Sequence, residues 1–463
     1  MVAPPPLSTR GLPLLLLLLL TSCSSLRTHQ VHYGGTDTLL RLGQPETALK
    51  QVQAHTPPKK DQLLHLLDIG MLQHWSGQHT HSNQTLEHAR QQLEKQRTQS
   101  LTSIPRRLLI NDNATDYTAQ HNEEIYLHIF KALNHIALHQ PDSAWVEIRQ
   151  LDQKLIQLQT DYQAAYQNLP HTPTNAPTAH HPLHESALAR WLGMLLYRNE
   201  GLWDDMRIDQ NRLLTAFNQQ QQLYPFPPPN LHTFTQPTQP QQTRLTLLAF
   251  HGLTPLKEAQ TLTVHTEKDL ILLANSHTDD LGRSGLTGWN ILPWPGINPG
   301  LHLKIQLPQL RKRPTQVATI KALINQQDTH TLQSLESLQT ITHQTFKQHR
   351  PLLYVRTLTR AISKALALYH ANEPLTHDMN QGYAALTRLS LGLLLDQTEN
   401  ADLRTARFFP AHASIAEIIL PAGTHTLQFQ YFAPDGRLLH TDPPRTLHLQ
   451  PNQLNLQQSA YLN

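Results

Sequence analysis

Residues 122–155 contain two stretches of helical periodicity on either side of a tight turn. Apolar side chains recur at helical spacing, as Ile125, Ile129, Ala132, Leu133 and Ile136 in the first stretch and Ala144, Ile148, Leu151 and Leu155 in the second. The turn is His139-Gln140-Pro141, and proline suits a first helical turn, where its missing N–H has no partner to lose. Such a helical hairpin cannot bury its own apolar face, so the pattern predicts neighbouring hairpins.

Turns of the same form recur along the first half of the chain. They are Gly43-Gln44-Pro45 before Ala48, Gly77-Gln78-His79 before Ser82, and Gly201-Leu202-Trp203 before Met206. The first interval, from residue 43 to residue 77, is 34 residues, which is the period of the tetratricopeptide (TPR) repeat, and the two later intervals are 62 residues each. We therefore expect a TPR-like helical domain with long insertions over residues 37–223. An unrelated helical bundle is the alternative, because small residues are common wherever helices cross.

A run of leucines determines the prediction for the N-terminus. Residues 14–20 are seven consecutive leucines behind Arg10, too few for a bilayer core, which needs about 20 apolar residues. A short apolar run behind a basic residue is typical of a secretory signal peptide. Leu20-Thr21-Ser22-Cys23 resembles the bacterial lipobox, in which the cysteine becomes the lipidated first residue. We predict a signal peptide over residues 1–22, lipidation at Cys23 and a tether over residues 23–36; the alternative is an ordinary signal peptide with an incidental cysteine.

Cys23 is the only cysteine of the chain. If it is lipidated, the mature chain keeps no thiol, which excludes disulfides, cysteine catalysis and thiolate metal sites. Ser24 follows it where an aspartate would retain a lipoprotein at the inner membrane. We therefore expect attachment to the outer membrane, facing the periplasm, with the lipid on Cys23 as the membrane contact. Several acyl chains anchor a protein firmly where one binds only marginally.

Composition and motifs exclude several classes of partner. The net charge is +3 with histidine neutral, too close to balance to indicate nucleic acid as a partner. The sequence contains neither a G-x-G-x-x-G nor a G-x-x-x-x-G-K-[ST] motif, so it does not predict nucleotide binding. The 30 histidines are scattered rather than grouped, which indicates a compositional habit rather than metal storage. We predict no cofactor.

The character of the sequence changes after a proline-rich stretch. Residues 224–243 hold six prolines and are predicted to be a linker. Beyond it, residues 244–325 alternate mostly as strands, residues 330–396 read as helices, and residues 412–457 again alternate as antiparallel strands. The whole chain is thus predicted to be multidomain, mainly α and then α+β, with small antiparallel sheets in residues 244–463.

Two details of this second half are predicted more finely. Residues 282–300, rich in glycine and proline, are expected to form a long loop. Helices are expected over residues 332–347 and 352–370, separated at Pro351, and over residues 384–395.

Short motifs are spread over most of the mature chain: Leu67-Asp68-x-Gly70, Asn111-Asp112, Lys131-Ala132-Leu133-Asn134, Arg149-x-Leu151-Asp152, Thr359-Arg360-Ala361-Ile362-x-Lys364 and Ala401-Asp402-x-Arg404. In these motifs the chain resembles a family of uncharacterised proteobacterial TPR-like outer-membrane lipoproteins. It departs at Ala406, where the family tends to have tryptophan, and residues 282–300 fit the family poorly. Such families are encoded near lipoproteins that activate peptidoglycan synthases, so the resemblance implies work in the cell envelope.

Two groups of residues are candidates for binding a protein partner. Glu124, His128 and Lys131 recur at i, i+4 and i+7 on one helix face, followed by Asn134. They could form a catalytic carboxylate–histidine pair, but a solvated helix stripe is the favoured interpretation. Trp289 and Trp294 lie in the predicted loop and are either an exposed recognition tip or tucked under a sheet.

Catalytic and metal-binding signals are weak. His180-His181-x-x-His184-Glu185 offers possible zinc ligands, but it lacks the H-E-x-x-H spacing and lies in a predicted loop, so we predict no metal site there. Gly282-Arg283-Ser284-Gly285-Leu286 misses the G-x-S-x-G nucleophile elbow at its last position. No catalytic residue is predicted.

The sequence therefore favours a lipid-anchored, periplasm-facing scaffold or adaptor that binds protein partners of the cell envelope and is linked to peptidoglycan synthesis. The alternative is a cell-wall-active hydrolase with its site in the C-terminal domain. That alternative predicts Glu, Asp or His side chains converging in one deep pocket of residues 244–463.

Overall fold

The computed structural model describes residues 33–100, 115–167, 183, 185–278, 284–297, 299–377 and 400–463. The predictions for the signal peptide and Cys23, for His180, His181 and His184, and for the helix over residues 384–395 lie outside these residues. Among the helices that the structure describes, none combines the length and the apolar character that crossing a bilayer requires.

The first part of the chain is helical. Its described helices are α1 (Thr36–Arg41), α2 (Pro45–Gln53), α3 (Gln62–Trp75), α4 (His79–Ser100), α5 (His121–Ala137), α6 (Pro141–Gln167), α7 (Ala187–Asn199) and α8 (Trp203–Gln219), with a 3-10 turn at Lys59–Asp61. Consecutive helices pack as hairpins, α1 with α2, α3 with α4, α5 with α6, and α7 with α8. The predicted hairpin around residues 122–155 is thus confirmed, and Pro141 is the first residue of α6.

These hairpins share one turn geometry. Gly43, Gly77, His139 and Gly201 have φ of 69°, 72°, 56° and 76°, and the next helix begins two residues later in each case. In each turn the following N–H donates 2.9 Å to a carbonyl five residues back: Gln44 to Leu39, Gln78 to Gln73, Gln140 to His135 and Leu202 to Tyr197. This is the bond of the Schellman motif, which satisfies a carbonyl at the end of the helix.

Small residues let the two helices of a hairpin approach closely. A Cβ on Gly70 would lie 2.5 Å from Leu86 Cδ2, so any larger residue at this crossing of α3 and α4 would have to displace the buried Leu86 side chain. The Ser82 hydroxyl donates to the carbonyl of Gly70 over 2.7 Å and ties the same two helices together.

The second part of the chain is mainly strands. They are β1 (Gln242–Leu253), β2 (Leu256–Glu267), β3 (Leu270–Thr278), β4 (Ser284–Pro293), β5 (His302–Arg311), β6 (Thr319–Ile324), β7 (Asp328–Thr331), β8 (Gln333–Ser337), β9 (Pro410–Pro421), β10 (Gly423–Phe432), β11 (Leu438–Thr441), β12 (Arg445–Leu449) and β13 (Asn455–Tyr461). Among the residues that the structure describes here, two helices accompany them, α9 (His232–Thr235) and α10 (Leu338–His377).

The described strands form three small sheets. Sheet I has the order β13-β1-β9-β8, sheet II the order β11-β10-β6-β7 with β12 also paired to β10, and sheet III the order β4-β3-β2-β5. Pairing is antiparallel except between β1 and β13, which run parallel. A mainly α part followed by an α+β part with small sheets is therefore confirmed.

The described part of the chain has three hydrophobic cores that hold these layers together. In β1, Leu248 and Phe250 pack into the core of the helical hairpins, whereas Leu247 and Ala249 pack into the core shared with sheet II. Sheet I thus lies between the helices and sheet II, since alternate residues of a strand face opposite sides. The third core lies between sheet III and α10, with Leu358 among its members.

Residues 224–243 do not act as a free spacer. Tyr224, Leu231 and Phe234 are buried in the core that the helical hairpins share with sheet I. Consequently the helical part and the α+β part are joined by common packing and not only by the chain that connects them.

Three finer predictions were wrong. The helix expected from residue 332 begins only at Leu338, because residues 333–337 form strand β8, which pairs with β9. Residues 282–300 are not a long loop, because β4 occupies Ser284–Pro293 and pairs with β3, for example Ile291 with Leu272. Pro351 does not separate two helices, because α10 runs continuously through it. A proline inside a helix costs about 3 kcal/mol; apolar packing on both sides of it, at Ile341 and Leu358, offsets that cost.

Candidate functional site

The predicted stripe on α5 is buried. Glu124, His128, Lys131 and Asn134 are 6%, 3%, 4% and 0% exposed. The interpretation as a solvated stripe was therefore wrong, and these side chains do not offer an exposed surface to a partner. The reason is that α4 and α6 pack against α5 and cover it.

The buried charges of the stripe are paired between helices. The Lys131 ammonium lies 2.7 Å from Glu87 on α4 and 2.7 Å from Glu147 on α6. His128 Nδ1 lies 2.8 Å from the other oxygen of Glu147. Burial alone would raise the pKa of Glu147, but the hydrogen bond from His128 and the charge of Lys131 bring this pKa below its ordinary value.

A second charged cluster lies further along the same helices. Lys154 Nζ is 3.0 Å from Glu124 and 3.2 Å from Glu94, and Arg97 is 2.8 Å from Asp161. Together the two clusters join α4, α5 and α6 through charge-assisted contacts. Their chemistry is structural, since each carboxylate faces a lysine or arginine and none faces open solvent alone.

Asn134 connects one hairpin to the next. Its carboxamide oxygen lies 2.6 Å from His74 Nδ1 and 2.9 Å from His79 Nδ1. Its nitrogen donates to Ser82 Oγ over 2.8 Å and to Asn83 Oδ1 over 3.0 Å. All the hydrogen-bonding capacity of this buried amide is therefore used inside the fold.

A later segment of the same chain covers the face of the hairpins formed by α3 and α5, which we call the inner face. Residues 402–409 run along α3 and α5, where the Asp68 carboxylate accepts the N–H of Arg407 and the Glu123 carboxylate accepts the N–H of Ala406, both over 2.8 Å. The Trp75 indole N–H donates to the carbonyl of Phe408 over 2.9 Å. A partner chain would find this face already occupied.

A buried carboxylate attaches sheet I to the helices in the same way. Glu336 on β8 accepts hydrogen bonds from Tyr126, from Tyr224 and from Ser186, at 2.7, 2.9 and 3.0 Å. It also accepts the N–H of Leu188, 3.1 Å away, at the start of α7. Burial raises the pKa of Glu336, although these four donors oppose the rise.

Exposed apolar side chains lie on α6 and α8, the second helices of two hairpins, which we call the outer helices. We define the outer-helix patch as Val146 on α6 together with Leu202 and Trp203 at the start of α8, which are 51%, 43% and 39% exposed. These residues flank one contact, in which the Trp145 ring packs 4.2 Å from the Tyr197 ring and its N–H donates to Glu200 over 2.5 Å. Ile208 on α8 and Ile156 on α6 are also exposed.

Sequence reasoning missed this patch. In the sequence, Leu202 and Trp203 stand out only as part of the turn that repeats the pattern of Gly77. An indole next to a leucine in a turn is a signal that could have been read, because aromatic residues are enriched at interfaces.

The two tryptophans of the predicted loop are not a shared tip. Trp294 is 8% exposed and belongs to the core between sheet III and α10, so the tucked alternative applies to it. Trp289 lies in β4 opposite Ala274, and its side chain is outside the described set.

A polar cleft lies between α9, β7, β8 and β9. Its volume is about 240 Å³, and it is lined by Asn230, Thr233, Phe234, Thr329, His330, Thr331, Gln333, Ala416, Glu417 and Ile418. The Glu417 carboxylate is held by Arg198 at 2.9 and 2.7 Å, by Arg244 at 3.0 Å and by Thr246 at 2.9 Å. Both of its oxygens thus accept two hydrogen bonds, which leaves no free lone pair for a substrate proton.

The hydrolase alternative requires acidic or histidine side chains that converge in a deep pocket. Of the residues lining this cleft, only Glu417 and His330 are of those types, and Glu417 is fully engaged. Within the described ranges, no group of three or more His, Cys, Asp or Glu side chains is placed to hold a metal ion.

Comparison with protein-family models, with curated proteins and with solved structures finds no match to this chain.

Proposed function

We propose that this chain is a lipid-anchored, periplasm-facing scaffold or adaptor of the outer membrane that binds protein partners of the cell envelope. The observation that carries the binding role is the outer-helix patch, where Val146, Leu202 and Trp203 are exposed on helices whose opposite side is packed against the rest of the molecule. Exposed apolar side chains grouped together are typical of protein–protein contact sites. The lipobox-like residues that end at Cys23 support the membrane anchor.

We also propose that the helical hairpins are degenerate TPR-like repeats. The 34-residue interval between Gly43 and Gly77, and the shared left-handed turn residue at all four turns, support this relationship. Repeat arrays present extended surfaces, and a scaffold uses such a surface to hold a partner. Because residues 402–409 and β8 occupy the inner face, the proposed partner binds the outer helices instead.

The proposed partners belong to the cell envelope, and a link to peptidoglycan synthesis is part of the proposal. It is supported by the resemblance carried by motifs such as Lys131-Ala132-Leu133-Asn134. Fold alone does not give function, so partner capture is the decisive measurement.

Site-specific photocrosslinking in cells tests the binding role. A photoreactive residue placed at Val146 or Trp203 is expected to give a crosslinked adduct with an envelope protein. The matched control is Lys304, an exposed position on sheet III, which should give none. Absence of adducts from both patch positions in cells that hold normal amounts of the protein would contradict the proposal.

The anchor is checked in the same strain. Cys23→Ser should abolish incorporation of labelled palmitate and release the chain from the membrane fraction. If Cys23→Ser keeps the label or stays in the membrane fraction, the lipid anchor is wrong even where the crosslinks form.

A further inference from the structure

Sheet III places two histidines side by side at its surface. His265 on β2 and His302 at the start of β5 are directly paired residues of neighbouring antiparallel strands. Their Nδ1 atoms lie 3.2 Å apart and share a hydrogen bond. His265 Nε2 is 2.9 Å from a carboxylate oxygen of Glu267, two residues further along the same strand.

We propose that His265 and His302 form a binding site for a divalent transition metal ion, with Zn²⁺ as the representative ion. Zinc binds imidazole nitrogens at about 2.0–2.1 Å in tetrahedral geometry, so two such nitrogens on one ion lie about 3.3 Å apart. The observed separation of 3.2 Å matches that spacing. Two water molecules complete the tetrahedron.

Glu267 prepares His265 for this role. A carboxylate that accepts the Nε2–H of an imidazole fixes the tautomer, so that the lone pair lies on Nδ1, which is the atom that faces His302. Metal-binding histidines commonly have such a carboxylate partner, which orients the ring and makes it a stronger ligand.

The backbone that carries the two histidines is held in place. Thr266, between His265 and Glu267, is fully buried. Its N–H donates to the carbonyl of Leu301 and its carbonyl accepts the N–H of Gly300, both over 3.0 Å. The hydroxyl of Thr266 also accepts the N–H of Leu301 over 3.0 Å. The strand positions are thus fixed before any ion binds.

The ring of His302 can still turn, whereas Glu267 holds the ring of His265. Their planes are inclined by 32°, with centroids 4.2 Å apart. Because the lone pair of His265 lies on Nδ1, the Nδ1 of His302 carries the proton of the contact between the two rings. Binding of the ion moves this proton to Nε2 of His302, an exposed residue, and leaves one Nδ1 lone pair on each ring for the ion. In contrast, the stacked pair His251 and His412 lies at 20° and is largely enclosed, and no hydrogen bond reaches the buried His251 Nδ1.

The test is histidine modification by diethyl pyrocarbonate on purified full-length protein, mapped by mass spectrometry with and without Zn²⁺. Bulk metal binding is not diagnostic in a chain with 30 histidines, whereas this readout reports each position. Zinc should lower the modification of His265 and His302 several-fold and leave His88 and His330 unchanged. Equal modification of all four with and without zinc would overturn the proposal.

Variants separate the site from general surface binding. His302→Ala should abolish the zinc protection of His265, and Glu267→Gln should raise the zinc concentration for half protection by about tenfold. His330→Ala is the matched control and should change neither. If His265 stays protected by zinc in His302→Ala with far-UV circular dichroism unchanged, the two-histidine site is wrong.

Discussion

At the scale of single residues, charge spacing on a helix does not reveal whether the charges are exposed. Glu124, His128 and Lys131 have the spacing of a surface stripe, yet all three are buried. Such side chains can pair with each other along one helix or with side chains of neighbouring helices. Here the packing of α4 and α6 against α5 selects the second arrangement. Burying a charge is tolerated here because Lys131 finds two carboxylates.

The first prediction concerns Lys131. Lys131→Met should lower the free energy of unfolding by about 3 kcal/mol, because it leaves the buried Glu147 with one partner fewer. Chemical denaturation of the purified protein measures this change. Arg207→Met is the control, because the pair of Arg207 with Asp204 is 64% and 93% exposed and should contribute little.

The two outcomes must differ for this account to hold. If Lys131→Met is as mild as Arg207→Met, then the charged cluster around Lys131 does not hold α4, α5 and α6 together.

At the scale of elements, turns were predictable and strand pairing was not. The turn pattern at Gly43, Gly77, His139 and Gly201 was read from local sequence, because a left-handed residue followed by a helix start is a property of a few consecutive residues. In contrast, β4 was predicted as loop. Its two glycines and Pro293 hide the alternation, and it becomes a strand by pairing with β3.

The second prediction concerns the turn of the hairpin α3/α4. Gly77 has φ of 72° and open space where a Cβ would stand, so Gly77→Ala meets only backbone strain. We expect a loss of about 1 kcal/mol in the free energy of unfolding. Thermal and chemical denaturation measure it.

Gly34→Ala is the matched control for this substitution. Gly34 also has open space around a Cβ, but its φ is outside the left-handed region. This variant should be neutral or slightly stabilising, because alanine restricts the unfolded chain. A loss at Gly34 equal to that at Gly77 would refute the assignment of the cost to the left-handed turn.

At the scale of the whole molecule, the helical and α+β parts depend on each other. Phe130 and Leu188 of the helices share a core with Phe250 of β1 and Phe408. Buried ion pairs cross the same boundary, as in Arg198 of α7 with Glu417 of β9 at 2.7 Å. Separating the two parts would expose apolar surface, at a free-energy cost of about 25 cal/mol per Å². It would also leave buried charges without partners.

The third prediction follows from this shared core. A fragment of residues 33–223 should lack a cooperative thermal transition, whereas the full chain should unfold with the same midpoint by far-UV circular dichroism and by tryptophan fluorescence. The full chain is the control. A fragment that melts cooperatively with full helix content would show that the helical part folds alone.

The sequence by itself determined the hairpins, their turns, the position of Pro141 and the change from helical to strand periodicity. These follow from local propensity, which acts over a few residues. The prediction of lipidation at Cys23 likewise comes from the sequence alone, because the lipobox-like pattern lies in four consecutive residues.

Only the tertiary structure decided which faces are buried. It placed the stripe at Glu124 and Lys131 inside the fold, brought residues 402–409 onto the inner face of the hairpins, and set His265 beside His302. These outcomes depend on contacts between residues far apart in the chain. Local periodicity shows that a face will be buried, but which distant segment covers it depends on packing and on the pairing of buried polar groups.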